Sequence, residues 1–396
     1  MTTLERTTVD ELLDRVERIR PIIEEHAAWG EANRRIAPEV FQAVRDAGLL
    51  RIWLPAAFGG HELHPAGAYR LLERISEIDG AVGWNLNQHA AVTVLATWLQ
   101  QQGLEEVFSN PDSGFAGVFW PAGAAIEVPG GFRVTANVRF ASNSQFAEWF
   151  LVPAIVHENG APRIDPQTGG PDFLATIIHM SEGAIQDSWH TMGMRATASN
   201  DVLVDDVFVP AQRAVRVFAP RETPAAVSGP LYRLAPWPGV QAHATVPLGI
   251  ARAMVNRLVN LAATKVPNFY ETTLRDRPVA QFQAAEARAA VDAASAYLAS
   301  TASNAFNALA SGRALTMDEK CAMQLAAANA AEATIRATSL VHQAAGTSGM
   351  REGAGFEKLY RDASSIVQHA AVQTNRFESA GRVMFGLEPD WFAFQL

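Results

Sequence analysis

Cysteine is almost missing from this chain: Cys321 is the only one in 396 residues. No internal disulfide can form, and a lone thiol fits a reducing, cytoplasmic setting. Charge is sparse. Charged residues make up 18% of the chain against 48% hydrophobic, a balance that supplies a large core and excludes a disordered chain. Positive charge is also in deficit. With 32 Lys+Arg against 41 Asp+Glu the net charge is −9, which argues against nucleic acid or an anionic membrane as a partner. No apolar run reaches the roughly 18 residues of a membrane span; residues 90–99 are interrupted by Thr93 and Thr97. The polar stretch 1–10 has no apolar core of a signal peptide.

Several chemical signatures are missing too. There is no GxGxxG and no GxxxxGK[ST], so neither a Rossmann nor a P-loop phosphate cradle is expected. The run GTSGM at 346–350 is one residue short of a nucleophile elbow. His61 and His64 form the one close histidine pair, and no acidic or Cys pattern completes a metal site around them. A loop pair without metal is the expectation.

What is present falls into three zones, expected as an N-terminal helical domain at 1–112, a small β-barrel domain at 113–220 and a C-terminal helical bundle at 221–396. In the first, Leu12, Leu13, Val16, Ile19 and Ile22 form a 3.6-residue stripe over 9–29. Pro38 opens a helix that Gly48 stops. Helices are expected at 65–79 and 81–102, the second apolar nearly all round and so buried on most faces. The second zone has short β-type runs at 115–119, 132–140, 150–156, 173–178 and 202–209, with Gly130-Gly131 as a turn. That spacing predicts a small barrel or sandwich. The third zone is Ala-rich, with long helices expected at 243–264, 278–311, 316–345 and 356–385, a four-helix bundle. The proline-rich stretch 221–238 reads as the link between barrel and bundle.

Helices, then a β domain, then a long-helix bundle is an uncommon order. Five segments resemble the acyl-CoA dehydrogenase superfamily: AGLLRIWLPAAFGG (47–60), RFASNSQFAEW (139–149), MGMRATASNDVLVDDVFVP (192–210), HQAAGTSGM (342–350) and EKLYRDA (357–363). The resemblance implies a homotetramer that holds flavin between barrel and bundle. It also implies a catalytic glutamate, at one of two places. Neither 361–376 nor 237–253 contains a Glu in such a position, and an α-carbon is not deprotonated efficiently without a placed base. His369 stands near one of the two places. That substitution resembles the flavin-dependent monooxygenase branch, the oxygenase components of two-component systems. The resemblance therefore implies reduced flavin (FMNH2 or FADH2) from a separate NAD(P)H-flavin reductase. Dioxygen would form a C4a-hydroperoxyflavin that oxygenates an aromatic or heteroatom-containing small molecule. A dehydrogenase or flavin oxidase using Asp362 or Glu378, an amine N-oxygenase and a non-catalytic scaffold are the alternatives.

Candidate catalytic residues are His369, His89 and Ser142. His369 shares a predicted helix face with Asp362 and Ser365, and an imidazole can take a phenolic proton or hold the oxygen. His89 sits on the apolar helix, where the branch places a pocket histidine; a satisfied core histidine is the equal alternative. Ser142 matches a family hydroxyl that bonds the flavin near N5, with Ser144 as its competitor. Cofactor contacts are expected from Ser142, Trp120, Arg195, Thr197, Arg277, Gln281, Gln343 and Gly346, with Arg275 competing for the Arg277 role and Phe119 read as core. Arg361 and Asp362 are read as a structural pair.

Overall fold

A computed structural model describes residues 7–396; part of the polar stretch 1–10 lies outside them. The chain opens with α1 (Val9–Asn33), started by a capping box in which Thr8 and Glu11 satisfy each other's backbone N–H groups. α2 (Pro38–Asp46) follows its N1 proline, and Gly48 leaves it at a left-handed φ of 71°. α3 (Pro65–Ile78) is capped by His64, whose Nδ1 accepts from the Ala66 N–H, while His61 bonds the Gly48 carbonyl. The two histidines thus have separate structural tasks. α4 (Gly80–Ala96) is buried over its whole length, its first N–H groups held by the Asp79 carboxylate. The expected helix 81–102 is two: α4 ends where Thr97 bonds back to the Val94 carbonyl, and α5 (Gln101–Val107) begins anew.

The β domain contains β1 (Phe115–Gly117), β2 (Gly123–Val128), β3 (Gly131–Val138), β4 (Trp149–Glu158), β5 (Ala161–Pro162), β6 (Phe173–His179), β7 (Ala184–Gln186), β8 (Asp201–Pro210) and β9 (Ala214–Arg216). They form one mixed nine-stranded sheet with the path β7-β8-β3-β2-β4-β6-β9; β1 and β5 pair with β4. β2 and β1 run parallel to β4, and Gly130-Gly131 turns β2 into β3. β6 and β8 touch although they are not neighbours on the path, so the sheet curls over itself. Its hydrogen-bond path remains open at β7 and β9. Alternation divides β4: Phe150, Val152, Ala154 and Val156 fill the sheet's own core, while Trp149 and Leu151 join the helical core.

The proline-rich stretch is not a bare link. Pro230 and Pro238 sit in first turns, where a missing N–H costs nothing, and start α6 (Pro230–Arg233) and α7 (Trp237–Ala242). The bundle follows with α8 (Thr245–Ala262), α9 (Pro278–Ala310) and α10 (Met317–Ala345), the last opened by a Thr316–Glu319 capping box. The expected helix 356–385 is broken into α11 (Phe356–Ile366) and α12 (Arg376–Met384). Between them the Ala371 N–H bonds the His369 ring at Nδ1, a local bond that competes with the helical ladder. His369 therefore does not share a helix face with Asp362 and Ser365. No helix among the described residues is long and apolar enough to cross a membrane.

Candidate active site

Three segments distant in sequence meet where α4 crosses the bundle. Trp84 comes from α4, His243 from the step between α7 and α8, and His369 from the turn after α11. The imidazoles of His243 and His369 stack at 4.5 Å with 12° between their planes. Trp84 meets both edge-on, its centroid 5.1 Å from each.

Partners fix the protonation of both rings. His243 Nδ1–H donates to the Gly239 carbonyl, and Nε2 accepts from the Gln88 amide at 3.1 Å. Burial pushes its pKa down to about 4, so it is neutral at pH 7. In His369, Nδ1 accepts from the Ala371 N–H at 3.3 Å, which leaves the proton on Nε2. Burial, then the neighbouring His243, hold its pKa well below the ordinary histidine value. His369 is half-buried, and its Nε2 has no hydrogen-bond partner among the described residues. The partners of these three rings are imidazole, indole, amide, hydroxyl and backbone groups; none is a carboxylate.

Trp84 connects this cluster to the β domain. Its indole N–H donates to Ser142 Oγ at 2.9 Å. Ser142 Oγ lies 2.5 Å from Ser199 Oγ, which lies 2.7 Å from Thr197 Oγ1. Thr197 Oγ1 donates to the Met194 carbonyl at 2.8 Å. All three hydroxyls are buried. The turn that carries Ser142 also holds Asn143 Oδ1, Ser144 Oγ and Gln145 Oε1, and β4 begins with Trp149 Nε1; all four atoms are buried without a partner. Buried polar atoms are normally satisfied. A ring system with a polar N/O edge fits this donor and acceptor set, so the residues present suit a flavin.

The rest of the β-domain wall is anchored to the bundle. Asp362 Oδ1 accepts from the Met194 N–H, and its other oxygen pairs with Lys358 at 2.8 Å. Lys358 also faces Asp79 at 3.4 Å. Arg361 pairs with Glu357 and with Glu31 of α1, which agrees with a structural part for Arg361 and Asp362. Gly193 lies so close to α11 that a Cβ would stand 2.3 Å from the Arg361 carbonyl oxygen.

The other sequence candidates fall into separate places. His89 points away from Trp84: Nδ1 accepts from the Phe115 N–H, and Nε2–H donates to the Leu50 carbonyl at 2.6 Å. Both nitrogens are used and burial lowers its pKa to about 4, so the satisfied core reading applies and His89 has no nitrogen left for substrate. Trp120 is 66% exposed and neighbours Phe392 rather than the histidine pair. Phe119 packs on Trp98, Phe173 and Phe392 in the core. Arg195 approaches Glu31 at 3.8 Å. Arg277, Gln281, Gln343 and Gly346 gather at one end of the bundle, where α9 begins and α10 ends. There Arg277 lies 3.6 Å over the Tyr270 ring, Gln281 donates to the Arg275 carbonyl, and Lys265 ties the Ala345 carbonyl to the preceding loop. A cavity of about 510 Å³ lies between α1, α3, α8 and α9 and touches none of these residues.

Two family models match, "Acyl-CoA dehydrogenase, N-terminal domain" over residues 5–107 and "Acyl-CoA dehydrogenase, C-terminal domain" over residues 241–374. An indole-3-acetate monooxygenase of Pseudomonas putida is 29% identical over 93% of this chain and 92% of its own length. The flavin-dependent monooxygenase oxygenase subunit HsaA of Mycobacterium tuberculosis is 26% identical over 98% of this chain and 99% of its own. The structure of XiaF from Streptomyces sp., in complex with FADH2 and glycerol, superimposes with a TM-score of 0.88 at 26% identity, over 97% of each chain. The two matched domains flank the curled sheet, the second contains both His243 and His369, and the chain belongs to the acyl-CoA dehydrogenase family, in its flavin-dependent monooxygenase branch.

Proposed function

We propose that the chain is the oxygenase component of a two-component system that inserts one atom of dioxygen into an aromatic small molecule. The observation that carries this reading is the stacked His369–His243 pair, which has no carboxylate partner among the described residues. Dehydrogenation of a thioester requires a base poised on the substrate. Asp362 is engaged by Lys358 and the Met194 N–H, and Glu378 is exposed on α12; neither reaches the histidine pair.

Reduced flavin, bound along the Ser142 turn and supplied by a separate reductase, provides the electrons that activate dioxygen. Everything else falls to this chain. Trp84 and the two imidazoles form an apolar, aromatic wall suited to a phenol or indole ring. His369 presents Nε2–H outward and holds the substrate oxygen by donation. Taking a proton there would require giving up the Ala371 bond, so holding is favoured over deprotonation. Ser142 sits between Trp84 and the unpartnered turn atoms, where it fixes the cofactor edge against the wall. Arg277, Gln281, Gln343 and Gly346 form an exposed end of the bundle suited to the tail of a dinucleotide from a neighbouring subunit, which favours FAD and a homotetramer.

The test supplies the protein with anaerobically reduced FAD or FMN, then with ¹⁸O₂, across a panel of phenols and indoles. One ¹⁸O atom in a hydroxylated product is the expected outcome. Anaerobic bleaching of bound flavin by an acyl-CoA, with no labelled product from the panel, would overturn the reading.

A further inference from the structure

We infer that the hydroxyl chain Ser142–Ser199–Thr197, ending on the Met194 carbonyl, fixes the direction of the Ser142 proton and thereby selects reduced over oxidised flavin. Ser199 and Thr197 are positioning residues in this scheme. It rests on the placement of flavin against Ser142 proposed above.

The direction is set from the far end. A carbonyl oxygen only accepts, so the 2.8 Å contact to Met194 carries the Thr197 proton. Thr197 then offers Ser199 only lone pairs, and Ser199 donates across the 2.7 Å contact. Ser199 in turn offers Ser142 only lone pairs, and Ser142 donates across 2.5 Å. The Trp84 indole can only donate, and at 2.9 Å it fills one lone pair on Ser142 Oγ. The inner part of the chain is closed to solvent, with Ser199 and Thr197 at 2% and 0% exposure, so water does not compete for their protons. Ser142 Oγ is left with one lone pair and no proton to offer.

The two redox states of flavin differ in what they present at N5. The reduced ring carries a hydrogen there and donates; the oxidised ring carries a lone pair and accepts. Ser142 held as an acceptor matches the first and opposes the second. An isolated serine would rotate its hydroxyl and serve both states. The selectivity therefore belongs to the chain rather than to Ser142 alone.

Anaerobic equilibrium titration of the whole protein with FAD and FMN, each oxidised and dithionite-reduced, measures the ratio of the two dissociation constants. Wild-type protein is expected to bind the reduced form more tightly. Thr197→Val keeps the shape and never touches Ser142, yet it removes the oxygen that receives the Ser199 proton. Ser199 can then turn its proton toward Ser142, and Ser142 its own toward flavin. The ratio should shrink about tenfold, the value of one neutral hydrogen bond gained or lost. Thr197→Ser should restore it. Ser199→Ala breaks the chain one link nearer and should match Thr197→Val; it serves as the second variant if Thr197→Val does not fold. A ratio within about twofold of wild type in either folded variant overturns the inference. Wild-type protein that binds neither redox state overturns the functional reading and this inference together; protein that binds reduced flavin with a ratio indifferent to the chain overturns this inference alone.

Discussion

At His369 the deciding detail is which nitrogen faces outward. Nδ1 is held by the Ala371 N–H and Nε2 is held by none of the described residues, so a donor is what the site offers. His369→Ala should lower kcat/KM for a phenolic substrate about 10–100-fold, the cost of losing one hydrogen bond to a partly charged oxygen. His369→Gln keeps an N–H near the same place and should recover part of the loss; equal activity of the two variants would remove the donor role. His369 and Ser142 stand out in the sequence because the first lies shortly after one family segment and the second inside another. His243 was missed. A signal existed: it is the only ionisable side chain from 237 to 251, a stretch without a carboxylate. Trp84 carried no comparable sign, since a tryptophan on an apolar helix is ordinary until the fold brings it to Ser142, whereas Ser199 stands two residues after Thr197 in a loop already read as a flavin contact.

Among the elements, α4 and α11 organise the site. Asp79 caps α4 and also faces Lys358 of α11; Lys358 pairs with Asp362, which holds the Met194 backbone. Burial opposes the Lys358 charge, but Asp79 and Asp362 outweigh it and hold the ammonium strongly protonated. Lys358→Met leaves two buried carboxylates without their cation and should cost about 3–5 kcal/mol of stability, read from urea denaturation. A cost below about 1 kcal/mol would mean that solvent already supports these carboxylates. The helix starts were legible: Thr8 with Glu11, Pro38, Pro65, Pro278 and Thr316 with Glu319 mark them by residue type. The break after α11 was not. The segment 367–375 holds no proline or glycine, and what interrupts it there includes a bond from a backbone N–H to the His369 ring. The short strands β2, β5, β7 and β9 were also missed, because pairing within the sheet defines them more than their own composition does.

For the whole molecule, the buried histidines set an acid limit. His89 and His243 have pKa values lowered to about 4 in the fold, against about 6.5 in an unfolded chain. The unfolded state therefore binds more protons between these values. Their stability contribution is full above about pH 6.5 and is lost as pH falls toward 4, by about 3 kcal/mol for each fully buried ring. His89→Gln should reduce the loss between pH 7 and pH 5 by about 2 kcal/mol; an unchanged loss would show that other groups dominate. The bundle end carries Phe269, Tyr270, Val279 and Phe282 exposed by 104%, 51%, 65% and 68%. Covering such surface is a usual reason for assembly, and light scattering should give four times the chain mass of 42.8 kDa. A monomer at micromolar concentration would contradict the tetramer. By itself the sequence determined the three-zone order, the helix starts, the main strands and the loss of the family's glutamate, because these depend on residue type and local spacing. Only the tertiary structure decided that His369 stacks on His243, that His89 belongs to the core, and that Ser142 stands at the head of a hydroxyl chain. Those facts are contacts between residues far apart in the chain, and such contacts arise from packing, which no local pattern encodes.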